Sequence, residues 1–415
     1  MSTPSCCPAA AGGAEVEGAC DHCLTRAGLL AALAGALDHV GSALGDLLAL
    51  EDGDLIAAVA GRHRDAVARE HAAFSAPSAR TRAATSGVSM ICRCRDAYPR
   101  ALRRLPAPPA VLHISGRPEL VLEPEPPYAG EPASAPGPGP RPAPANDGDG
   151  RDAPAVAVVG ARAPSPYGTE VARGLGRGLA AAGLTVVSGM ARGIDSAAHW
   201  GALDAGGRTV AVLAGGAERP YPASARGLHT RIRAVGAVVS ELPPGTATRR
   251  WMFPARNRLI AALSALTVIV EARPDSGALL TAALARELGR GLAAVPGRVS
   301  SPLAAGPHEL IRAGATLVTG PADVLERLAL GPAASARFGA RAQQSELGGG
   351  QSEPGGGLPG GQRALLHALA EDQPTETALA RAGLGTEAGL AALAALELCG
   401  LIRREAGGRW TVCAR

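Results

Sequence analysis

The 415-residue sequence predicts an α/β fold built on a doubly wound parallel sheet. Short, wholly apolar runs rich in valine recur between residues 155 and 295, as is typical of strands buried on both faces of such a sheet. Glycine-containing turns and stretches with helical apolar spacing alternate with these runs. Because doubly wound sheets bind ligands beyond the carboxyl ends of their strands, the residues after each run are the first candidates for a functional site.

Residues 1–95 predict a helical N-terminal domain with a disordered tail. The tail, residues 1–14, consists mainly of small side chains. Apolar residues then recur at helical spacing over Leu29–Leu50 and, after a turn at Glu51–Asp54, over Leu55–Phe74.

Residues 96–330 predict the sheet domain, which a disordered insertion interrupts. Its first part predicts a turn, a short helix at Arg100–Leu105, a proline stop and a strand at Ala110–Ile114. Residues 123–152 are rich in proline, glycine and acidic residues and cannot form a core, so we expect them to be disordered.

The strands of the central sheet follow from the apolar runs. The first run ends at Gly160, and a helix with Val171, Leu175 and Leu179 on one face begins near Gly168. The predicted strands are Ala155–Val159, Thr185–Val187, Thr209–Leu213, Val238–Ser240, Thr267–Val270 and Leu292–Val295.

The last part of the chain predicts a linker and a winged helix. Residues 331–361 are glycine-rich, and residues 362–415 predict three helices and a hairpin about Gly407-Gly408. Residues 331–415 hold 8 arginines and 8 acidic residues, and this neutral balance disfavours strong duplex binding. A protein-docking or autoregulatory role is equally open.

The positive charge of the chain is concentrated in the predicted sheet. All 41 basic residues are arginine, and the net charge is +4. Residues 154–330 contain 19 arginines and 11 acidic residues, whereas residues 111–153 contain 3 and 7. The sheet therefore predicts an anionic partner.

Nothing in the sequence predicts a membrane segment or a secretory signal. No run approaches the ~18 apolar residues that span a bilayer. The first twenty residues lack a basic and an apolar region. We therefore expect a cytoplasmic protein without a membrane partner.

Four of the eight cysteines are candidate ligands for a zinc ion. Cys20-x-x-Cys23 could supply half of the ligands, and Cys92 and Cys94 the other half. A CxxC pair with a distant CxC is not a standard ligand spacing, so the sequence favours free thiols and no metal.

Catalysis has candidate residues but no complete constellation. Asp195, Glu241 and Glu271 lie at or just after strand ends, and His199 lies one turn after Asp195. Asp195 could instead cap a helix, and Glu271 could pair with an arginine. Gly160 and Gly168 do not form the G-x-G-x-x-G fingerprint of dinucleotide enzymes. We expect no enzyme and no cofactor, with a nucleotide-processing enzyme as the alternative.

A row of arginines in the loops favours a chain of phosphates. Each lies after a strand or at a helix start beside glycine, serine or asparagine, whose neighbourhood lets backbone amides approach an anion. These arginines are Arg162, Arg192, Arg256, Arg258 and Arg273. The candidate stacking faces for unpaired bases are Tyr167, Tyr221, Trp251 and Phe253, so single-stranded nucleic acid is the predicted ligand.

At these loops the sequence resembles the DprA/Smf DNA-processing family. The similar segments are VVGARAPSPYG, VVSGMARGIDSAAHWGAL, TVAVLAGGAERPYP, VVSELPPG, FPARNRLIAALS, VIVEARPDSGALLTA and AVPG, all within residues 155–315, with residues 98–116 as their lead-in. The resemblance implies an extended Rossmann-like domain that binds single-stranded DNA. It also implies a homodimer that loads the RecA recombinase on DNA during natural transformation, without known catalysis.

The resemblance also assigns a DNA pocket by position. The residues are Gly160, Arg162, Ser188, Gly189, Arg192, Gly193, Arg256, Asn257, Arg258, Ser276, Gly277 and Thr281. The chain departs from the family at Ala161, where a serine is usual and one hydroxyl contact to phosphate is missing. A related nucleotide-cleaving superfamily has a PGGxGT loop followed by Glu, and the matching PDSGALLTAAL lacks that acid.

Overall fold

A computed structural model describes residues 18–122, 154–328 and, with gaps, 364–412. The predicted tail, insertion and linker lie outside these residues. The chain divides into two compact units, residues 1–341 and 342–415. In the described part, no helix combines the length and the apolar character needed to cross a bilayer.

The first unit contains a nine-stranded sheet in the order β1-β2-β6-β5-β4-β3-β7-β8-β9. The strands are β1 (Ser89–Cys92), β2 (Val111–Gly116), β3 (Ala155–Val159), β4 (Thr185–Ser188), β5 (Thr209–Val212), β6 (Ala237–Ser240), β7 (Leu266–Ile269), β8 (Gly291–Ala294) and β9 (Thr316–Leu317). Strands β3 to β9 pair in parallel, with Val156 opposite Val186 and Ala157 opposite Thr267. Strands β1 and β2 extend one edge in antiparallel pairing. The six predicted strands of the central segment are confirmed within one residue, whereas β1 and β9 were not predicted.

Helices precede the sheet and cover both of its faces. The helices before β1 are α1 (Asp21–Ala32), α2 (Ala34–Leu37), α3 (Leu44–Ala49), α4 (Asp52–Val59), α5 (Arg64–Ala72) and α6 (Ala76–Thr85). Those that follow are α7 (Arg100–Arg103), α8 (Pro166–Ala181), α9 (Ile194–Asp204), α10 (Arg226–Val235), α11 (Met252–Leu263), α12 (Gly277–Glu287), α13 (Ala305–Arg312) and α14 (Pro321–Arg327).

Alternate residues of the buried strands feed two cores. Val156 and Val158 of β3 pack with Leu175 and Leu179 of α8 on one face. Ala157 and Val159 belong to the core on the opposite face, where α11 and α12 lie. This two-sided burial explains why the strand is apolar at every position rather than at every second one.

The N-terminal helices pack against the segment that leads into α11. Leu33 and Leu37 share one core with Trp251 and Met252. The Trp251 indole donates to the Ala34 carbonyl at 2.9 Å, so this ring is buried. Trp251 is therefore part of the core and not one of the stacking faces that the sequence predicts.

The second unit is small and mixed. A helix, α15 (Thr375–Arg381), accompanies an antiparallel hairpin of β10 (Ile402–Arg404) and β11 (Trp410–Val412). Leu365, Leu369 and Ile402 lie in its core. The hairpin is found where the sequence predicts it, and the complete winged helix stays a prediction.

Candidate functional site

A cleft opens at the carboxyl ends of the strands, where the winding of the sheet reverses. From β3 the chain winds through β4, β5 and β6 and then returns to β7 on the other side of β3. The loops after β3 and β7 border a cleft of about 500 Å³. Crevices at such switch points are where open α/β sheets bind ligands. Seven of the predicted residues line it: Gly160, Arg162, Arg256, Asn257, Ser276, Gly277 and Thr281.

A second cavity of about 80 Å³ adjoins the cleft. It shares Arg162, Phe253 and Arg256 with the cleft and adds the predicted Gly189 and Arg192. We call the two cavities together the arginine cleft. The structure thus brings together every predicted site residue except Ser188, Gly193 and Arg258.

Arg162 and two aromatic rings form a continuous surface at the mouth of the arginine cleft. The exposed Arg162 guanidinium lies 5.1 Å from the centre of the Phe253 ring. The Tyr221 ring, which is 47% exposed, lies 5.5 Å from the Phe253 ring at an angle of 55°. A cation over one ring and a second ring beside it offer a stacking platform for a planar group.

Arg256 is the buried cation of the arginine cleft. Its Nη1 donates to the Val212 carbonyl at 3.0 Å, while its Nε is buried without a hydrogen-bond partner among the described residues. Burial lowers the pKa of Arg256, and the nearby Asp195 carboxylate opposes that shift. A Cβ on Gly189 would overlap Arg256 Nη1, so any larger residue there would force the guanidinium to move.

Asp195 holds the loop between β4 and α9. Its Oδ2 accepts hydrogen bonds from the backbone N–H groups of Gly189 at 3.1 Å and Ala191 at 3.3 Å. Burial raises the pKa of Asp195, and Arg256 and these N–H groups act in the opposite direction. Gly193, with a φ of 84°, is the N-cap of α9. Asp195 therefore lies inside the helix and clamps the loop, which corrects its expected role as the cap.

The N-terminus of α12 forms the opposite side of the cleft. Ser276 caps this helix, and its Oγ accepts from Ala278 N at 3.3 Å. Asn257 donates from Nδ2 to the Gly277 carbonyl at 3.3 Å, which ties α11 to the same rim. The positive end of the helix dipole and the exposed Arg273 both favour an anion here.

Two predicted residues are held away from the cleft by buried hydrogen bonds. Arg258 donates from Nη2 to both carboxylate oxygens of Glu241 at 2.6 Å, and both side chains are buried. Ser188 is fully buried and donates to the Val158 carbonyl at 2.7 Å. Arg258 and Ser188 thus support the fold behind the arginine cleft, which corrects their placement in the pocket.

The candidate catalytic groups have structural partners. Glu271 accepts from the backbone N–H and the hydroxyl of Ser165 at 2.8 and 2.6 Å, and among the described residues it makes no ion pair with the arginine that the sequence predicts as its partner. His199 is fully buried, with Nδ1 2.6 Å from the Thr209 hydroxyl, and burial lowers its pKa to about 3. A buried, neutral histidine and a carboxylate that accepts two hydrogen bonds within its own loop are not aligned for proton transfer to a ligand.

Three charged residues line the cleft but are absent from the DNA pocket that the resemblance assigns: Asp195, Arg273 and Asp275. The sequence places Arg273 in the row of loop arginines, although the family pattern does not include it. Asp275, an exposed acid at the same rim, could have been found from its place directly before the helix cap Ser276.

The fold and the arginine cleft define a doubly wound α/β protein with a cationic site at its switch point. Residues 147–329 match the model of the family "DNA recombination-mediator protein A". A Mycobacterium tuberculosis relative is 53% identical over 168 residues, which cover 40% of this chain and 43% of that protein. DNA processing protein DprA of Streptococcus pneumoniae is 44% identical over 167 residues, which cover 40% of this chain and 59% of that protein. The chain thus aligns with about half the length of these relatives.

The structural comparison agrees with the sequence comparison. The crystal structure of Streptococcus pneumoniae DNA processing protein A has a TM-score of 0.55 and 29% identity, covering 74% of this chain and 95% of that one. Residues 147–329 are thus similar to the DprA/Smf family of DNA-processing proteins.

Proposed function

We propose that the arginine cleft binds single-stranded DNA and that the protein acts as a recombination mediator. The observation that carries the proposal is the stack of Arg162 on Phe253 with Tyr221 beside it, next to the buried Arg256. Sequence-tolerant binding of an unpaired strand requires a groove in which cations contact the phosphates and exposed aromatic rings stack on the bases.

The shape of the cleft favours an unpaired strand over a duplex. A volume of about 500 Å³ lies within the range of pockets that enclose one small molecule. A flexible strand can place single nucleotides in it, whereas a duplex offers bases only through its grooves. The exposed Tyr221 ring offers a face on which an unstacked base can lie.

Phosphates have three separate contact points around the cleft. Arg162 and Arg192 are exposed on the β3 and β4 loops, and Arg273 lies on the β7 loop. The N-terminus of α12 adds backbone N–H groups at Gly277, where open space surrounds the glycine. A single mononucleotide would contact only some of these groups, so a polynucleotide fits the cleft better.

The mediator role rests on the similarity of residues 147–329 to that family. We propose that the protein, as a homodimer, loads the RecA recombinase on single-stranded DNA, in natural transformation or other DNA processing, and that it does so without catalysis. The structural partners of Glu271 and His199 support the absence of catalysis.

The first experiment compares ligands on the full chain by fluorescence anisotropy. A labelled single strand should bind, an equal length of duplex should bind at least tenfold more weakly, and mononucleotides should compete poorly. Equal affinity for duplex would contradict the single-strand assignment, and effective competition by a mononucleotide would indicate a nucleotide pocket. RecA filament formation on strands coated with single-strand-binding protein then tests the mediator role.

A further inference from the structure

The structure gathers four cysteines at the junction between α1 and the edge of the sheet. Cys20 is the N-cap of α1 and Cys23 lies in its first turn, while Cys92 ends β1 and Cys94 lies in the turn that follows. The four sulfur atoms lie within 4.8 Å of one another. About 70 residues separate the two pairs, so only the fold brings them together.

We propose that Cys20, Cys23, Cys92 and Cys94 bind one Zn²⁺ as a structural Cys₄ site. Zinc–sulfur bonds of ~2.3 Å in a tetrahedron place the sulfurs ~3.8 Å apart. Cys23 Sγ and Cys94 Sγ are 3.6 Å apart, which matches such an edge. Four thiolates fill all tetrahedral positions and leave none for water or substrate, so the site is structural rather than catalytic.

The surroundings of the cysteines are those of a metal site. The backbone N–H of Cys20 donates to Cys92 Sγ at 3.5 Å, which stabilises a thiolate at that position. Cys23 and Cys92 are fully buried in a small apolar core with Leu24 and Val111. A bridge between Gly18 and Ile91 holds the two cysteine-bearing segments side by side.

Disulfides fit the same atoms less well. A disulfide requires a sulfur–sulfur distance of ~2.05 Å, far below the 3.6 Å between Cys23 and Cys94. All four sulfurs lie within 4.8 Å of one another, so their spacing does not divide them into two disulfide-bonded pairs. A single central cation, in contrast, can bind all four.

The zinc would stabilise the arginine cleft indirectly, through helix α1. It fixes the start of α1 to β1, and residues Leu29 and Leu30 further along α1 share a core with Trp251, which precedes α11. Loss of the metal therefore loosens the support of α11, the helix that carries Arg256.

Metal analysis of the full chain, purified under reducing conditions, tests the proposal. We expect one zinc per chain by mass spectrometry, and replacement by Co²⁺ should produce thiolate-to-cobalt charge-transfer and tetrahedral d–d bands. Cys20→Ser and Cys94→Ser should each lose the zinc or weaken its binding at least 100-fold. Cys413→Ser, a cysteine outside the described residues, is the matched control and should keep it.

If the serine variants fail to fold, the wild-type protein alone can still test the proposal. Mercurial titration should then release one zinc, with four of the eight thiols reacting in step with that release. A chain that takes up neither zinc nor cobalt, that holds iron instead, or whose intact mass shows two disulfides under the same conditions would overturn the proposal.

Discussion

Replacement of Arg162 by alanine is the sharpest test of the arginine cleft. The side chain is exposed and makes no ion pair with a described residue, so its removal leaves no buried charge behind. The contact with Phe253 exists before DNA binds, so only the lost phosphate contact enters the affinity. A charge-assisted hydrogen bond contributes about 2 kcal/mol, which corresponds to roughly 30-fold weaker binding.

Salt titration separates a phosphate contact from a general loss of affinity. For a single strand, one phosphate contact contributes about 0.7 to the slope of log K against log salt, so Arg162→Ala should lower the slope by that amount. Arg162→Lys should restore the slope but only part of the affinity, because lysine lacks the planar guanidinium that can bind a phosphate through two hydrogen bonds.

Arg177→Ala is the matched control for charge. Arg177 lies on α8, is 60% exposed and is 3.8 Å from Asp204, outside the arginine cleft. Anisotropy over a range of salt concentrations should show its affinity and slope unchanged. Wild-type affinity and slope in Arg162→Ala, or an equal loss in Arg177→Ala, would refute the assignment of the cleft.

Three further variants test the support of the cleft. Gly189→Ala should displace the Arg256 guanidinium and weaken single-strand binding roughly 30-fold by anisotropy, which corresponds to the loss of one charged hydrogen bond; unchanged binding would contradict the close approach. Arg258→Ala should cost about 3–5 kcal/mol in urea unfolding because Glu241 stays buried without its partner, and wild-type stability would refute that pair. His199, with a folded pKa of about 3 against about 6.5 unfolded, is neutral in the fold, so its contribution is present above pH 6.5 and is lost as pH falls towards 3. At pH 5 this difference in the pKa of His199 should lower the free energy of unfolding by about 2 kcal/mol relative to pH values above 6.5. His199→Gln should flatten the pH dependence of the free energy of unfolding measured in urea, and an unchanged pH dependence would argue against the burial of His199 in its neutral form.

The central strands and the loops after them were predictable for one physical reason. Strands buried on both faces must be apolar at every position, so runs such as Ala155–Val159 stand out from the turns around them. Polar residues in the loops that follow these runs, such as Arg162 and Ser276, then fall at one edge of the sheet. The short β1 and β9 lie towards the edges and carry no such pattern, which is why they were missed.

The different roles of Arg256 and Arg258 could not be predicted from the sequence. Both were expected in the pocket, but α11 begins at Met252, so both lie within the helix. Residues two apart in a helix are about 200° apart around its axis and cannot share a face. One therefore points into the cleft and the other pairs with Glu241, a choice that depends on where the helix starts.

The cysteine cluster depended on a contact that spacing does not encode. Cys20 and Cys23 meet Cys92 and Cys94 because Gly18 bridges to Ile91 at the sheet edge. Each pair taken separately is compatible with isolated thiols. Their meeting follows from β1, a strand that the sequence did not predict.

The hydrogen bond between Trp251 and Ala34 has a consequence for synthesis on the ribosome. Its two ends are 217 residues apart, so the nascent chain presents the apolar face of helices α1–α4 for roughly 10–40 s before the partner segment is translated. Helices α1–α4 thus wait for a packing partner that is translated about 200 residues later, and the nascent chain needs shielding from aggregation during that interval.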